Sequence, residues 1–296
     1  MTAEIPRLPF VGDNEVIQVS CFSLLVTILY TLLINKFNKK INIIKLYYFF
    51  DLKNFIITLI LSIFIVGIFY ILDKNLDKSN WDFLGYSESK DDIPASESSS
   101  ESKHDNDFIK RKFNAHSSVS HCTVGIYILL NINRMSKIYY SSILFGILLI
   151  ILGLVSYSRW SSSKKLAKKI DHLFMEAHIN GLIVIFLSIL FPKLEKIFVL
   201  SCIGLIIYRY FTYDTTYHLT IRSYFLLLLI FITTYQFKSS GNINILIYAC
   251  ILTLGGLIPK IADTTKNFKY GTALFHFMES FGFIMFYFWA KTINNK

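Results

Sequence analysis

Asp171, His172, Glu176 and His178 fall within eight consecutive residues. At helical spacing Asp171, Met175 and His178 share one face, and His172 and Glu176 share its neighbour. A second set, Thr272, His276, Glu279 and Ser280, repeats at intervals of three and four. Asn114, His116, Ser117, Ser118 and His121 make a third set, and Ser156 with Trp160 a fourth. Imidazole nitrogens and carboxylates at such spacing are the donors that hold Zn²⁺ through two or three protein ligands and a water. His276 and Asp171 are the leading candidates, with His121, His172, His178 and Glu279 as substitutes. Taken singly, each histidine reads more readily as a hydrogen-bonded bundle residue than as a ligand.

The elements that carry these residues are membrane helices. Of the 296 residues, 53% are hydrophobic and 17% charged, against about 25% charged in soluble domains. A soluble core of this size cannot hide so much apolar surface, which disfavours a soluble enzyme, a disordered chain or a secreted disulfide scaffold. Cys21, Cys122, Cys202 and Cys250 form no CxxC pair, so neither a zinc ribbon nor a disulfide framework is implied. A crossing needs about 20 mostly apolar residues. Two candidate runs open the chain, Ile17–Ile34 and Phe55–Leu72. Seven more follow: His116–Asn133, Ile138–Tyr157, Leu173–Phe191, Ile197–Tyr213, Tyr224–Phe237, Ile243–Pro259 and Thr272–Lys291. The expected fold is therefore all-α and polytopic: a seven-helix transmembrane bundle preceded by two extra hydrophobic segments.

Residues 73–112 are a different polymer, with Ser96-Glu97-Ser98-Ser99-Ser100-Glu101-Ser102 at their centre. Such a segment cannot offset the entropy of ordering and is expected to be a flexible linker. This divides the chain into an N-terminal membrane module (1–72), the linker (73–112) and the bundle (113–296). The first run has Glu4, Asp13 and Glu15 ahead of it against Arg7, so it lacks the basic flank of a cleaved signal and is expected to be retained.

Lys110, Arg111 and Lys112 precede the third run, and Arg159, Lys164, Lys165, Lys168 and Lys169 lie between the fourth and fifth. The positive-inside rule puts those ends in the cytosol, and all four polar sets then share that face. Helix ends are wetter than helix centres, which accounts for some of this clustering, but the opposite ends of the same runs are poor in acids and histidines. The loop with Lys36, Lys39, Lys40, Lys45 and Lys53 also calls for the cytosol, which conflicts with both early runs spanning. The net charge of +10 reflects basic loops and gives no reason to expect a nucleic-acid partner. The partner is the bilayer, in an internal compartment or at the plasma membrane.

The ordered pattern resembles the hemolysin III / progestin and adipoQ receptor family of seven-helix membrane proteins. Asn114, Ser118 and His121 match the start of the family pattern. Ser156-Tyr-Ser-Arg-Trp160 followed by a lysine-rich turn and Asp171-His172 matches its middle. Gly181, ten residues past Asp171, and Thr272-Ala-Leu-Phe-His276 with Gly282 match the rest. The resemblance covers residues 110–296. It implies a zinc ion held by three histidines near a Ser and an Asp, but two of those histidine positions are Trp160 and Thr272 here. Trp160 offers only an N–H donor. Hence zinc is doubtful as a cofactor and enzymatic activity is not favoured. The function the resemblance implies first is permeabilisation of membranes by an oligomer, a cytolytic activity. The alternatives are a zinc-dependent hydrolase of lipid amides such as ceramide, and a receptor or scaffold with a degenerate metal site.

Overall fold

The computed structural model describes residues 51–75, 111–134, 136–161, 165–212, 234, 243–264, 268 and 270–294. The runs Ile17–Ile34 and Tyr224–Phe237 and nearly all of the Ser/acid-rich segment lie outside the described residues. Among the described residues every regular element is helical: α1 (Leu52–Asn75), α2 (Lys112–Ser117), α3 (Val119–Leu130), α4 (Tyr139–Ser161) and α5 (Lys165–Leu190), then α6 (Glu195–Thr212), α7 (Ile243–Gly255), α8 (Leu257–Thr264) and α9 (Gly271–Asn294). A short 3₁₀ turn, Pro192–Leu194, joins α5 to α6. Among the described residues four stretches are long and apolar enough to cross a membrane: Leu52–Ile71, Tyr139–Ser161, Leu166–Leu190 and Gly271–Ile293.

Two runs that read as continuous in the sequence are broken. His116–Asn133 divides into α2 and α3 at Ser118. The hydroxyls of Ser117 and Ser118 both donate to the Asn114 carbonyl, at 3.0 and 2.9 Å, and compete there with the backbone ladder. The Ser118 N–H turns instead to Ala115 O at 3.1 Å, a tightened bond that ends α2. The run from Ile243 divides at Gly256, between α7 and α8.

Glycines set how closely the helices approach. A Cβ on Gly125 of α3 would lie 2.5 Å from Gly146 O of α4 and 2.8 Å from Ile150 Cγ1. Gly153 faces Ser118 O and the Cys122 backbone in the same way. Small residues permit this contact where no water drives association. Gly181 and Gly282, both matched in the family pattern, serve the same purpose: their missing side chains make room for Leu148 and for the Thr253 turn. Gly125→Val is expected to cost about 1–3 kcal/mol by overpacking. Equilibrium unfolding in mixed micelles measures this, and wild-type stability in the variant would show that the α3–α4 contact is loose.

α1 lies against the bundle. Ser62 Oγ meets Thr123 Oγ1 at 2.8 Å, Asn54 Nδ2 donates to Leu130 O at 2.9 Å, and the Phe69 ring stacks on Tyr157 at 3.7 Å. Its other face exposes Ile60 and Phe64, and α6 exposes Leu200 and Phe211. Those faces suit a hydrocarbon surround. The main apolar core joins α3, α4, α5, α7 and α9 around Phe145, Ile179, Phe186, Phe283 and Trp289.

Candidate functional site

Six helices send polar side chains to one end of the core. The end of α4 supplies Ser156, Arg159 and Trp160, and the start of α5 supplies Asp171 and His172. The first turns of α9 supply Thr272, His276 and Glu279. Ser117 ends α2, His121 opens α3, and Lys260 comes from α8. All of these except Ser117 and Thr272 line a cavity of about 50 Å³, walled on its apolar side by Leu152, Met175 and Phe275. That is room for a few waters or a small polar group.

Charges are paired inside it. Arg159 Nη1 donates to Asp171 Oδ2 at 2.5 Å, with both side chains buried. The sequence reading placed Arg159 among the cytosolic loop charges. The structure corrects this: α4 runs on to Ser161 and carries the guanidinium inward, where Arg159 is 4% exposed. A buried carboxylate needs such a partner. Glu176 likewise pairs with Arg209 of α6 at 3.2 Å, rather than with His172.

Lys260 occupies the centre of the replaced positions. Its Nζ donates to Thr272 Oγ1 at 2.9 Å and lies 5.2 Å from the Trp160 ring centroid, within cation–π range. Thr272 in turn donates its backbone N–H to Asp263 Oδ2 at 2.8 Å and its hydroxyl to the same oxygen. Asp263 thereby caps the first turn of α9, where the backbone N–H groups lack helical acceptors. Trp160 and Thr272, the two residues standing where the resemblance expects histidines, thus meet one ammonium group.

The residues present do not fit the zinc centre that the resemblance implies. Among the described residues no three His, Cys, Asp or Glu side chains converge to hold a metal. Asp171 is committed to Arg159, and the ammonium of Lys260 stands beside both changed positions. A divalent ion there would face two fixed positive charges.

His276 is tied elsewhere. Its Nδ1 is 2.8 Å from Ser117 Oγ and 3.5 Å from Ser118 Oγ. The direction of the Ser117–His276 bond follows the His276 tautomer. Ser118 also reaches Ser156 at 3.2 Å, and Ser120 meets Ser280 at 2.8 Å. These bonds join α9 to α2, α3 and α4. Glu279 lies between His121 and His178, at 3.4 and 3.9 Å.

Of the candidate residues, His121, Ser156, Asp171, His172, His276 and Glu279 all line the cavity. His178 touches it only through Glu279, Asn114 and Ser118 act through the serine bonds, and Gly181 and Gly282 act in packing. No family model, curated protein or solved structure matches this chain. Arg159 as a site residue, Lys260 and Asp263 were missed by sequence reasoning. The available signal was the Lys260/Asp263 pair, three residues apart at the end of an apolar run.

Proposed function

We propose that the chain is a multi-pass membrane protein of the hemolysin III / progestin and adipoQ receptor type, with a seven-helix bundle and two preceding hydrophobic segments. Its function in this reading is non-catalytic: the bundle binds the polar group of a small amphiphile, as a receptor does. What supports this is the cavity itself, a space lined by donors and acceptors from five helices in which the metal-ligand positions are replaced and the fixed charges have partners. A cavity of about 50 Å³ admits a head group of a few heavy atoms. The apolar faces of α1 and α6 turn to lipid.

The test uses purified full-length protein in detergent with a panel of single-chain amphiphiles: a fatty acid, a long-chain amine and a long-chain alcohol. One of them is expected to raise the unfolding free energy of the wild type by about 2.7 kcal/mol at a hundredfold excess over its Kd. Leu152→Phe, which fills the cavity wall, is expected to abolish the rise. No stabilisation by any member would sink the binding reading. Two further assays on the same preparation separate the alternatives. Dye release from liposomes that survives chelation and His276→Ala would establish the cytolytic activity instead, and ceramide cleavage lost in His276→Ala would establish the hydrolase. Neither is expected.

A further inference from the structure

The charges around the cavity balance. Its lining holds two basic side chains, Arg159 and Lys260, and two acidic ones, Asp171 and Glu279. Arg159 donates to Asp171 Oδ2, and Lys260 donates to Thr272 Oγ1, whose own proton goes to Asp263. An ionised ligand would therefore bring an uncompensated charge into a buried space, which is expensive. A neutral ligand leaves the balance as it is.

Two of the lining side chains carry hydrogen-bonding atoms that no protein group meets. Trp160 Nε1 on α4 is buried and donates to nothing, and Asp171 Oδ1 on α5 is buried and accepts from nothing. Trp160 is 2% exposed and Asp171 1%. An indole nitrogen only donates, and an ionised carboxylate only accepts. Left so, each atom costs the desolvation that a hydrogen bond would offset. A head group that serves both must accept one bond and give another. An ionised carboxylate cannot give, an ammonium cannot accept, and an ether oxygen only accepts. A hydroxyl does both. His121 Nδ1 is also buried without a hydrogen bond, and it takes either role with its tautomer.

Resting on the reading of this cavity as the seat of a small amphiphile, we propose that the ligand carries a neutral head group that donates and accepts at once, an alcohol hydroxyl. It accepts from Trp160 Nε1–H and donates to Asp171 Oδ1, while Arg159 keeps its bond to Oδ2. The place of the walls suits such a ligand. Trp160 is the last residue but one of the stretch Tyr139–Ser161, and His276 lies in the second turn of Gly271–Ile293. Ends of spans stand at the depth where lipid head groups meet the hydrocarbon. Of the apolar wall, Leu152 and Phe275 are buried and Met175 is partly exposed. Its unbranched thioether gives an alkyl chain an adaptable surface to lie along.

The experiment uses full-length protein in a detergent without hydroxyl groups and four probes of one chain length: a primary alkanol, its methyl ether, the fatty acid and the primary amine. The rise in unfolding free energy with probe concentration gives each Kd. The alkanol is expected to bind about tenfold more tightly than each of the others, because the ether gives no hydrogen bond and the ions bring unpaired charge. Trp160→Phe, which keeps a ring and removes the N–H, is expected to weaken alkanol binding about fivefold. If that variant does not fold, the comparison of alkanol with ether in the wild type decides alone. An inert alkanol beside a stabilising acid or amine would overturn this inference and leave the amphiphile reading in place, and so would equal binding of alkanol and ether. An alkanol effect that survives Leu152→Phe would put the probe outside the cavity and overturn both. No binding by any probe would also overturn both.

Discussion

Arg159→Met alone is expected to lower the unfolding free energy by about 3–5 kcal/mol, and adding Asp171→Leu to recover most of that loss. Asp171 accepts from Arg159 at 2.5 Å, and neither side chain reaches solvent. Removing the guanidinium strands a carboxylate among Trp160, His172 and Met175, where the few waters that the cavity admits replace only part of the lost partner. Removing both charges leaves apolar groups of similar volume in an apolar wall. The reciprocal single variant, Asp171→Leu, leaves the guanidinium over the Trp160 ring at 4.6 Å and is expected to cost less. A double-mutant cycle in mixed micelles gives the coupling. If the double variant were as unstable as the sum of the singles, the pair would be independent and its burial irrelevant. The cycle also separates stability from ligand binding, because the amphiphile panel can be repeated on the double variant.

The sequence revealed the long helices and the polar end of the core for one physical reason: both rest on local patterns. The apolar runs Ile138–Tyr157, Leu173–Phe191 and Thr272–Lys291 correspond to α4, α5 and α9, because a span of that length is visible without knowing its neighbours. His121, His172, His276 and Glu279 were likewise legible, since ionisable residues at helix ends stand out from their surroundings. What was not legible depends on partners far away in the chain. Arg159 reads as a loop charge until Asp171 is brought back across the lysine-rich turn. Lys260 reads as the end of a run until Thr272 and Trp160 arrive on either side of it. The break at Ser118 depends on two hydroxyls choosing the same carbonyl, which neighbouring serines in a sequence do not announce. Helix α1 reads as part of a tethered module, and the Asn54–Leu130, Ser62–Thr123 and Phe69–Tyr157 contacts place it against α3 and α4.

Replacing Trp160 and Thr272 by histidine together with Lys260→Ala is expected to create a zinc site in a chain that otherwise keeps no metal through chelation. Residues 272 and 276 are four apart on α9, the spacing at which two imidazoles on one helix face can share an ion. Residue 160 approaches from α4: its ring lies 6.4 Å from that of His276 and 5.2 Å from Lys260 Nζ. Asp171 stands across the cavity, still held by Arg159, as a partner to a bound water. The lysine substitution is the informative component. A divalent ion about 5 Å from an ammonium is opposed by roughly 6–7 kcal/mol at an effective dielectric near 20, more than it costs Lys260, whose pKa burial lowers to about 8, to release its proton. The two histidines without Lys260→Ala are therefore expected to bind zinc about tenfold more weakly than the triple variant at pH of about 7, the gap closing as the pH rises through 8. Metal analysis after dialysis against chelator gives the stoichiometry, about one ion per chain in the triple variant, and competition with a chromophoric chelator gives the affinities. If Lys260→Ala made no difference to the histidine pair, the ammonium would not stand where a metal would. If the triple variant retained no zinc, the three positions would not converge. The second result would leave Trp160 and Thr272 as ordinary packing residues and remove the ground for the resemblance to a zinc-binding family.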